Sequence, residues 1–175
     1  MEYWDLYDAN RNPLGRRMLR GGDAPVGGAY HLICHAWVRN TKDEIVISKR
    51  SHHKSVGAGL FEFPGGCAAA GESSLWAIIR EVREEVGIDL SVAPHRLVRS
   101  FIIPDEKLGI IEDIWLFDYG GEIRLDLAET PDEVESARWM NLEEVYDLRA
   151  KGMLFRPAAL YLDMIAKEIA SYVPS

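Results

Sequence analysis

The stretch that decides the fold runs from Gly66 to Ile88 and reads GCAAAGESSLWAIIREVREEVGI. Its second half carries apolar residues at the spacing of one helix face, namely Leu75, Ile78, Ile79, Val82 and Val86. Gly87 follows directly, and glycine is the residue that most often ends a helix in a left-handed conformation. The pattern therefore predicts a helix from about Ser73 to Val86, preceded by a loop of small residues.

The predicted helix carries Glu81, Glu84 and Glu85 on one face, roughly 120° from the centre of the apolar stripe at about 100° per residue. Only Glu84 has a basic residue, Arg80, three or four positions away. Repulsion between like charges and the negative end of the helix dipole both disfavour these acids. A divalent cation reverses those penalties, and hard oxygen ligands suit Mg²⁺ or Mn²⁺. The spacing favours a metal site over the alternative, an acidic helix face in solvent.

The loop before the helix reads FPGGCAAAGE over residues 63–72, and its small residues let the backbone approach a ligand. Loop and helix together fit the pattern G-x5-E-x7-R-E-U-x-E-E-x-G-U, where U is aliphatic, at every specified position. In these features the chain resembles the Nudix hydrolase family, whose signature this pattern, the Nudix box, is. The matching residues are Gly66, Glu72, Arg80, Glu81, Val82, Glu84, Glu85, Gly87 and Ile88.

The resemblance implies an α/β/α sandwich built on a mixed β-sheet. It also implies an enzyme that uses Mg²⁺ to cleave a nucleoside diphosphate linked to another group, or a related small diphosphate. Glu81, Glu84 and Glu85 would ligate the metal together with the carbonyl oxygen of Gly65, and Glu84 or Glu85 would assist as base.

Further residues have a functional and an ordinary interpretation. By the resemblance, Glu72 and Arg80 would orient the helix, although an ordinary ion pair explains them equally well. Gly66 is expected to contact the substrate. Two residues of the basic cluster 49–54, Arg50 and Lys54, are candidates for phosphate binding, the alternative being a basic surface loop.

Glu133 belongs to an acidic cluster, residues 132–135, in a region where several Nudix hydrolases carry a catalytic glutamate outside the box. It is a candidate metal ligand, although such a run is typically a solvated loop. Glu112 and Asp113 are neighbours in a predicted strand, so their side chains face opposite sides. We expect Glu112 to be the one that faces the site, as a further candidate ligand.

Residues 4–8 and 30–37 resemble the isopentenyl-diphosphate-isomerase branch of the superfamily. In that branch His31 and Glu112 fall at metal positions, but Gly65 occupies the place of the catalytic cysteine. The complete Nudix box favours hydrolysis. An isomerase-like enzyme remains the alternative, as does a non-catalytic sensor that binds a nucleotide without cleaving it. For His31, a buried strand histidine is the preferred interpretation.

The rest of the sequence predicts a mixed α/β sandwich. Runs of aromatic and β-branched residues indicate strands at 2–7, 30–38, 44–48, 96–103 and 110–119, with turns at 10–12 and 40–43 that suggest hairpins. A second helix is expected from an N-cap at Asn141 to near Gly152, and a third from about Pro157. We expect a single domain over 1–175, with an N-terminal hairpin extension at 1–28 and a Nudix core at 29–175.

Charge and cysteine content narrow the class of protein. The 28 acidic and 20 basic residues give a net charge of −8, which disfavours nucleic acid and anionic membranes as partners. The acidic, aromatic N-terminus lacks the features of a signal peptide, so we expect a cytoplasmic protein. Cys34 and Cys67 are expected to be reduced thiols. The expected partner is a small-molecule diphosphate, and a homodimer is one of the assemblies that the sequence allows.

Overall fold

The computed structural model describes residues 1–23, 27–130 and 132–171, so residues 24–26 of the predicted hairpin extension and 172–175 of the predicted domain lie outside it. Nine strands within the described residues form one sheet. They are β1 (Tyr3–Tyr7), β2 (Pro13–Leu19), β3 (Tyr30–Arg39), β4 (Ile45–Arg50), β5 (Phe61–Glu62), β6 (Gly65–Cys67), β7 (His95–Ile103), β8 (Gly109–Asp118) and β9 (Val134–Met140). The helices are α1 (Ser74–Val86), α2 (Leu142–Ala150) and α3 (Arg156–Ala170).

The sheet is mixed and centred on β3. This strand pairs in parallel with β8 over its whole length, from Tyr30 opposite Gly109 to Arg39 opposite Asp118. Its antiparallel partners are β1, β4 and β6. Outside them, β7 pairs with β8, β9 and β5 pair with β4, and β1 and β2 form the N-terminal hairpin, all antiparallel. The predicted mixed sheet and hairpin are confirmed.

Helices cover both faces of this sheet. Because side chains alternate along a strand, Cys34 and Val38 of β3 pack in one core with α1, whereas Trp37 packs in a second core with α2 and α3. The first core contains Ile78 and Val82 of α1, and the second contains Leu162 of α3. The predicted α/β/α sandwich is therefore confirmed. None of the helices in the described residues has the length and apolarity needed to cross a bilayer.

The ends of the helices follow the local sequence signals. The Ser73 side chain accepts a hydrogen bond from the backbone N–H of Trp76, so α1 begins one residue later than predicted. Gly87 ends it with φ of 69°, and a Cβ there would overlap the carbonyl oxygen of Arg124, which follows β8. Asn141 and Glu144 form the predicted capping box of α2.

Three strands were not predicted, and the second strand of the predicted hairpin had been given no range; each case has a physical reason. Most side chains of β2 are exposed, and that strand is held by backbone pairing with β1. The acidic cluster 132–135, expected as a loop, runs into β9 from Val134 onwards. The short strands β5 and β6 lie on either side of Pro64. The chain pairs with β4 before this proline and with β3 after it. Because these strands are held by pairing with other segments, their own sequences do not show the alternation of apolar and polar residues that predicts a strand.

Candidate functional site

The predicted site residues meet around a cavity of about 290 Å³, hereafter the glutamate cavity. Its walls come from α1, from β6, from the segments after β4 and before β9, and from the N-terminal hairpin. Of the predicted residues, it is lined by Arg50, Lys54, Gly65, Gly66, Arg80, Glu81, Glu84, Glu85 and Glu133. Glu72 and Glu112 do not line it.

The backbone of β6 holds two of the three helix glutamates. Glu85 is buried, and its Oε2 accepts a hydrogen bond from the N–H of Gly65 at 3.1 Å. Glu81 lies against Gly66, where an added Cβ would stand 2.6 Å from the carboxyl carbon. A side chain at position 66 would therefore displace the carboxyl group of Glu81, which favours glycine at this point of the loop.

These carboxylates are short of positive charge. Burial raises the pKa of Glu81 to about 6, against the opposing effect of Arg80. Burial, followed by the negative charges of Glu62 and Glu81, raises the pKa of Glu85 well above its ordinary value. A divalent cation between the carboxylates would supply the missing charge, and carboxylate oxygens are the ligands that Mg²⁺ and Mn²⁺ prefer. The residues therefore fit such an ion.

In this structure Arg80 supplies part of the positive charge that a metal ion would bring. Its Nη1 donates to Glu81 at 2.9 Å and to Glu84 at 3.0 Å. The described residues hold no group of three His, Cys, Asp or Glu side chains arranged as a ready-made metal site. A bound ion would accordingly compete with Arg80 for two of the three carboxylates.

Glu72 anchors Arg80 from outside the cavity. Arg80 donates from Nε and Nη2 to the two oxygens of Glu72 at 2.8 and 2.9 Å, and Nη2 also donates to the carbonyl oxygen of Cys67 at 3.1 Å. Glu72 in turn accepts from the N–H of Ala69 at 2.8 Å. The ion pair of Glu72 and Arg80 thus ties the loop to α1, and its orienting role stays a prediction.

The two predicted phosphate-binding cations face the cavity, each beside an acid. Lys54 contacts Glu133, and Arg50 donates from Nη1 to both oxygens of Glu62 at 2.6 and 2.8 Å. The guanidinium of Arg50 also lies 4.9 Å from the ring centre of Phe155, a cation–π distance. Arg50 is therefore fixed in place by contacts on two sides.

Glu112 and Asp113 face opposite sides of the sheet, as expected. Asp113 pairs with Arg11 of the N-terminal hairpin at 2.6 Å. Glu112 is buried, with its Oε1 3.0 Å from Nδ1 of His35. It lines a second pocket that adjoins the glutamate cavity, whereas His31 lines neither and stacks on the ring of Trp4.

Sequence reasoning missed three charged residues of the site. Glu2, just before β1, and Arg20, just after β2, line the glutamate cavity and pair with each other at 2.7 Å. Glu62, which holds Arg50, lies between two phenylalanines of a short segment. No motif marks Glu2 or Arg20. A charged residue flanked by phenylalanines is the one signal that points to a buried, paired Glu62.

Comparison with known proteins agrees with this geometry. A family model described as the NUDIX domain matches residues 29–161. The chain belongs to the Nudix hydrolase family. It is 31% identical over 153 residues to an uncharacterized Nudix hydrolase, lmo0368, of Listeria monocytogenes, covering 87% of either chain. The family resemblance inferred from the box is therefore confirmed, and the protein is a Nudix hydrolase.

Two further similarities are informative. An isopentenyl-diphosphate Δ-isomerase of Citrobacter koseri is 29% identical over 133 residues, covering 73% of this chain and 71% of the relative. The crystal structure of DR0079 from Deinococcus radiodurans matches 95% of this Nudix chain and 98% of its own, with a TM-score of 0.73 at 19% identity. That structural match shows the shared fold.

Proposed function

We propose that this Nudix hydrolase is a Mg²⁺-dependent pyrophosphohydrolase that cleaves the diphosphate linkage of a nucleoside-diphosphate derivative or related small diphosphate. The observation that supports it is the composition of one cavity. Glu81, Glu84 and Glu85 can hold a cation there, while Arg50 and Lys54 face the same space and can meet phosphate oxygens. The cavity therefore contains both the acidic groups that would bind the metal ion and the basic groups that would bind the phosphate oxygens.

In the proposed reaction a water molecule attacks one phosphorus of the diphosphate. A P–O bond to the water oxygen forms, the P–O bond to the bridging oxygen breaks, and two phosphate products result. Mg²⁺, when bound, neutralises the diphosphate and lowers the pKa of water. Glu84 or Glu85 accepts the proton, and Arg50 and Lys54 bind the phosphate oxygens. Gly65 and Gly66 let the backbone approach the substrate.

Other assignments from the sequence belong to this proposal. Glu133 lines the cavity opposite α1 and is the candidate ligand outside the box, whereas Glu112 lies in the adjoining pocket and is the weaker candidate. We further propose one domain over 1–175, a cytoplasmic location, and no nucleic acid or membrane partner. A homodimer stays open to measurement.

The isomerase alternative is favoured by the relative from Citrobacter koseri. Against it, Gly65 stands where the resemblance places the catalytic cysteine, and Cys67 nearby is a poor substitute. Burial raises the pKa of the Cys67 thiol to about 12, so it stays protonated at neutral pH. Isomerised product in the assay below would establish this alternative.

The test incubates a panel of diphosphates with the protein and Mg²⁺, measures the phosphate that a coupled phosphatase releases from the monoester products, and identifies the uncoupled products by mass spectrometry. We expect turnover of one substrate class, lost with EDTA and reduced about 100-fold or more in Glu84→Gln. Glu143→Gln, at an exposed position of α2, is the matched control and should retain activity. Equal activity of Glu84→Gln and the wild type would refute the site. Nucleotide binding without turnover would instead indicate a sensor.

A further inference from the structure

A second pocket of about 420 Å³, hereafter the apolar pocket, opens beside the glutamate cavity. Four residues line both spaces: Arg50, Gly65, Gly66 and Cys67. The two spaces therefore adjoin, and a molecule that extends past these residues would place a diphosphate in the first and its organic group in the second. The chemistry of the apolar pocket therefore indicates what that organic group is.

Aliphatic side chains from four elements line the apolar pocket. Ile33 comes from β3, Ile103 from β7, Ile110 from β8 and Leu160 from α3. Leu160 is 65% exposed, so part of the apolar lining of the pocket is in contact with solvent. An apolar group bound in the pocket would cover it and remove that surface from water.

The aromatic rings of the pocket already have stacking partners. The ring of Phe155 lies under the guanidinium of Arg50, and the ring of Tyr161 stacks on Phe101 at 4.2 Å between centroids. Flat nucleobases are commonly held by stacking on such faces. Each ring therefore offers at most one face to a bound group, so the four aliphatic side chains outnumber the ring faces that remain.

Most polar side chains of the pocket are paired, whereas Arg156, which also lines it, is exposed. Glu112 is contacted by His35 at 3.0 Å and by the hydroxyl of Tyr161. Arg50 is bound to Glu62. Groups that already have partners do not require a ligand rich in hydrogen-bond donors or acceptors, so Glu112 and Arg50 place little polar demand on the bound organic group.

We propose that the apolar pocket binds an aliphatic chain, straight or branched, so that the substrates are alkyl diphosphates. This rests on the proposed function of the glutamate cavity. Water attacks the terminal phosphorus of the alkyl diphosphate, the bond from that phosphorus to the bridging oxygen breaks, and the products are alkyl monophosphate and inorganic phosphate. Both protons of the water pass to the products or the solvent.

The experiment measures binding and hydrolysis separately. Methyl, butyl and 3-methylbutyl diphosphates are assayed for phosphate release with Mg²⁺. Their methylenebisphosphonate analogues, whose P–C–P bridge resists hydrolysis, are titrated by calorimetry. We expect the butyl and 3-methylbutyl compounds to bind at least about tenfold more tightly than the methyl compound, and kcat/KM to rise in the same order.

Two pairs of variants locate the effect. Leu160→Asp places a charge at the pocket, and Met164→Asp is its control, because Met164 lies one turn further along α3, is also exposed and does not line the pocket. Ile103→Trp fills the pocket, and Ile102→Trp is the control on the neighbouring, exposed position of β7. In each pair, the first substitution should abolish the rise in affinity and in kcat/KM with chain length, and the control substitution should retain it.

The outcomes separate this inference from the proposed function. Chain-length-dependent binding of the analogues without hydrolysis of any diphosphate would overturn the hydrolase and keep the pocket. Hydrolysis without chain-length dependence, or a gain that survives in both Leu160→Asp and Ile103→Trp, would overturn the pocket. Preferred turnover of nucleoside diphosphate derivatives that is lost in Leu160→Asp would show that a base, and not an alkyl chain, occupies it.

Discussion

Acidification is expected to destabilise the protein through His31, a histidine of β3. Its side chain is buried, with the residue 7% exposed, and its ring stacks on Trp4 at 4.5 Å between centroids. Within the described residues its Nδ1 has no hydrogen-bond partner. Burial disfavours the charged imidazolium and lowers the pKa of His31 to about 4.

The sign and size of the effect follow from linkage. A histidine in an unfolded chain has a pKa of about 6.5, so below that pH the unfolded state binds a proton that His31 in the folded state does not bind. Stability from this residue is present above pH 6.5 and is lost as the pH falls towards 4. Between pH 7.5 and pH 4.5 the loss is about 2.5 kcal/mol in the free energy of unfolding, from pKa values of about 6.5 and 4.

The assay is urea unfolding followed by far-ultraviolet circular dichroism, with EDTA present, at pH 7.5 and pH 4.5. His31→Phe keeps a flat ring against Trp4 and cannot titrate. Every carboxylate that protonates does so in both proteins, so their difference isolates His31. The wild type should lose about 2.5 kcal/mol more than the variant. Losses that agree within about 0.5 kcal/mol would show that His31 titrates normally and refute the argument from burial.

Two further predictions concern the loop and the hairpin. Gly66→Ala would place a Cβ 2.6 Å from a carboxyl carbon of α1, so we expect Mg²⁺ affinity measured by calorimetry to fall at least about tenfold, with Gly120→Ala, in open space, unaffected. Arg11→Met would leave the buried Asp113 with the Ser100 hydroxyl but without its cationic partner, lowering the free energy of unfolding in urea by about 2 kcal/mol, whereas Arg16→Met, at an exposed position, should change it little. Unchanged affinity in the first or unchanged stability in the second would contradict these contacts.

The parts of the site that the sequence predicted are those with local signals. The spacing of Glu81, Glu84 and Glu85, the glycine at 87 and the glycine pair before the helix all act within a turn or a loop. Their consequences, a helix with acids on one face beside a close-packed loop, appear in the structure where they were expected.

The remaining walls of the site depend on strand pairing between distant segments. Glu62 meets Arg50 because β5 pairs with β4, and Glu2 meets Arg20 because β1 pairs with β2. Glu112 is in the adjoining pocket because β8 runs parallel to β3, a partner about eighty residues earlier in the chain. Such pairings are set by the whole sheet, so no single stretch of sequence reports them.

The N-terminal hairpin belongs to the part of the chain that forms the complete site. Sequence similarity delimits a module at residues 29–161, which leaves the hairpin outside. Yet the backbone oxygen of Tyr3 accepts from Ala70 at 2.7 Å, Asp5 accepts from Gly71 at 2.6 Å, and Glu2 forms part of the cavity wall. A fragment begun at residue 29 would lose hydrogen-bond partners of the loop that defines the family. The region that sequence similarity delimits is therefore smaller than the unit that forms these contacts.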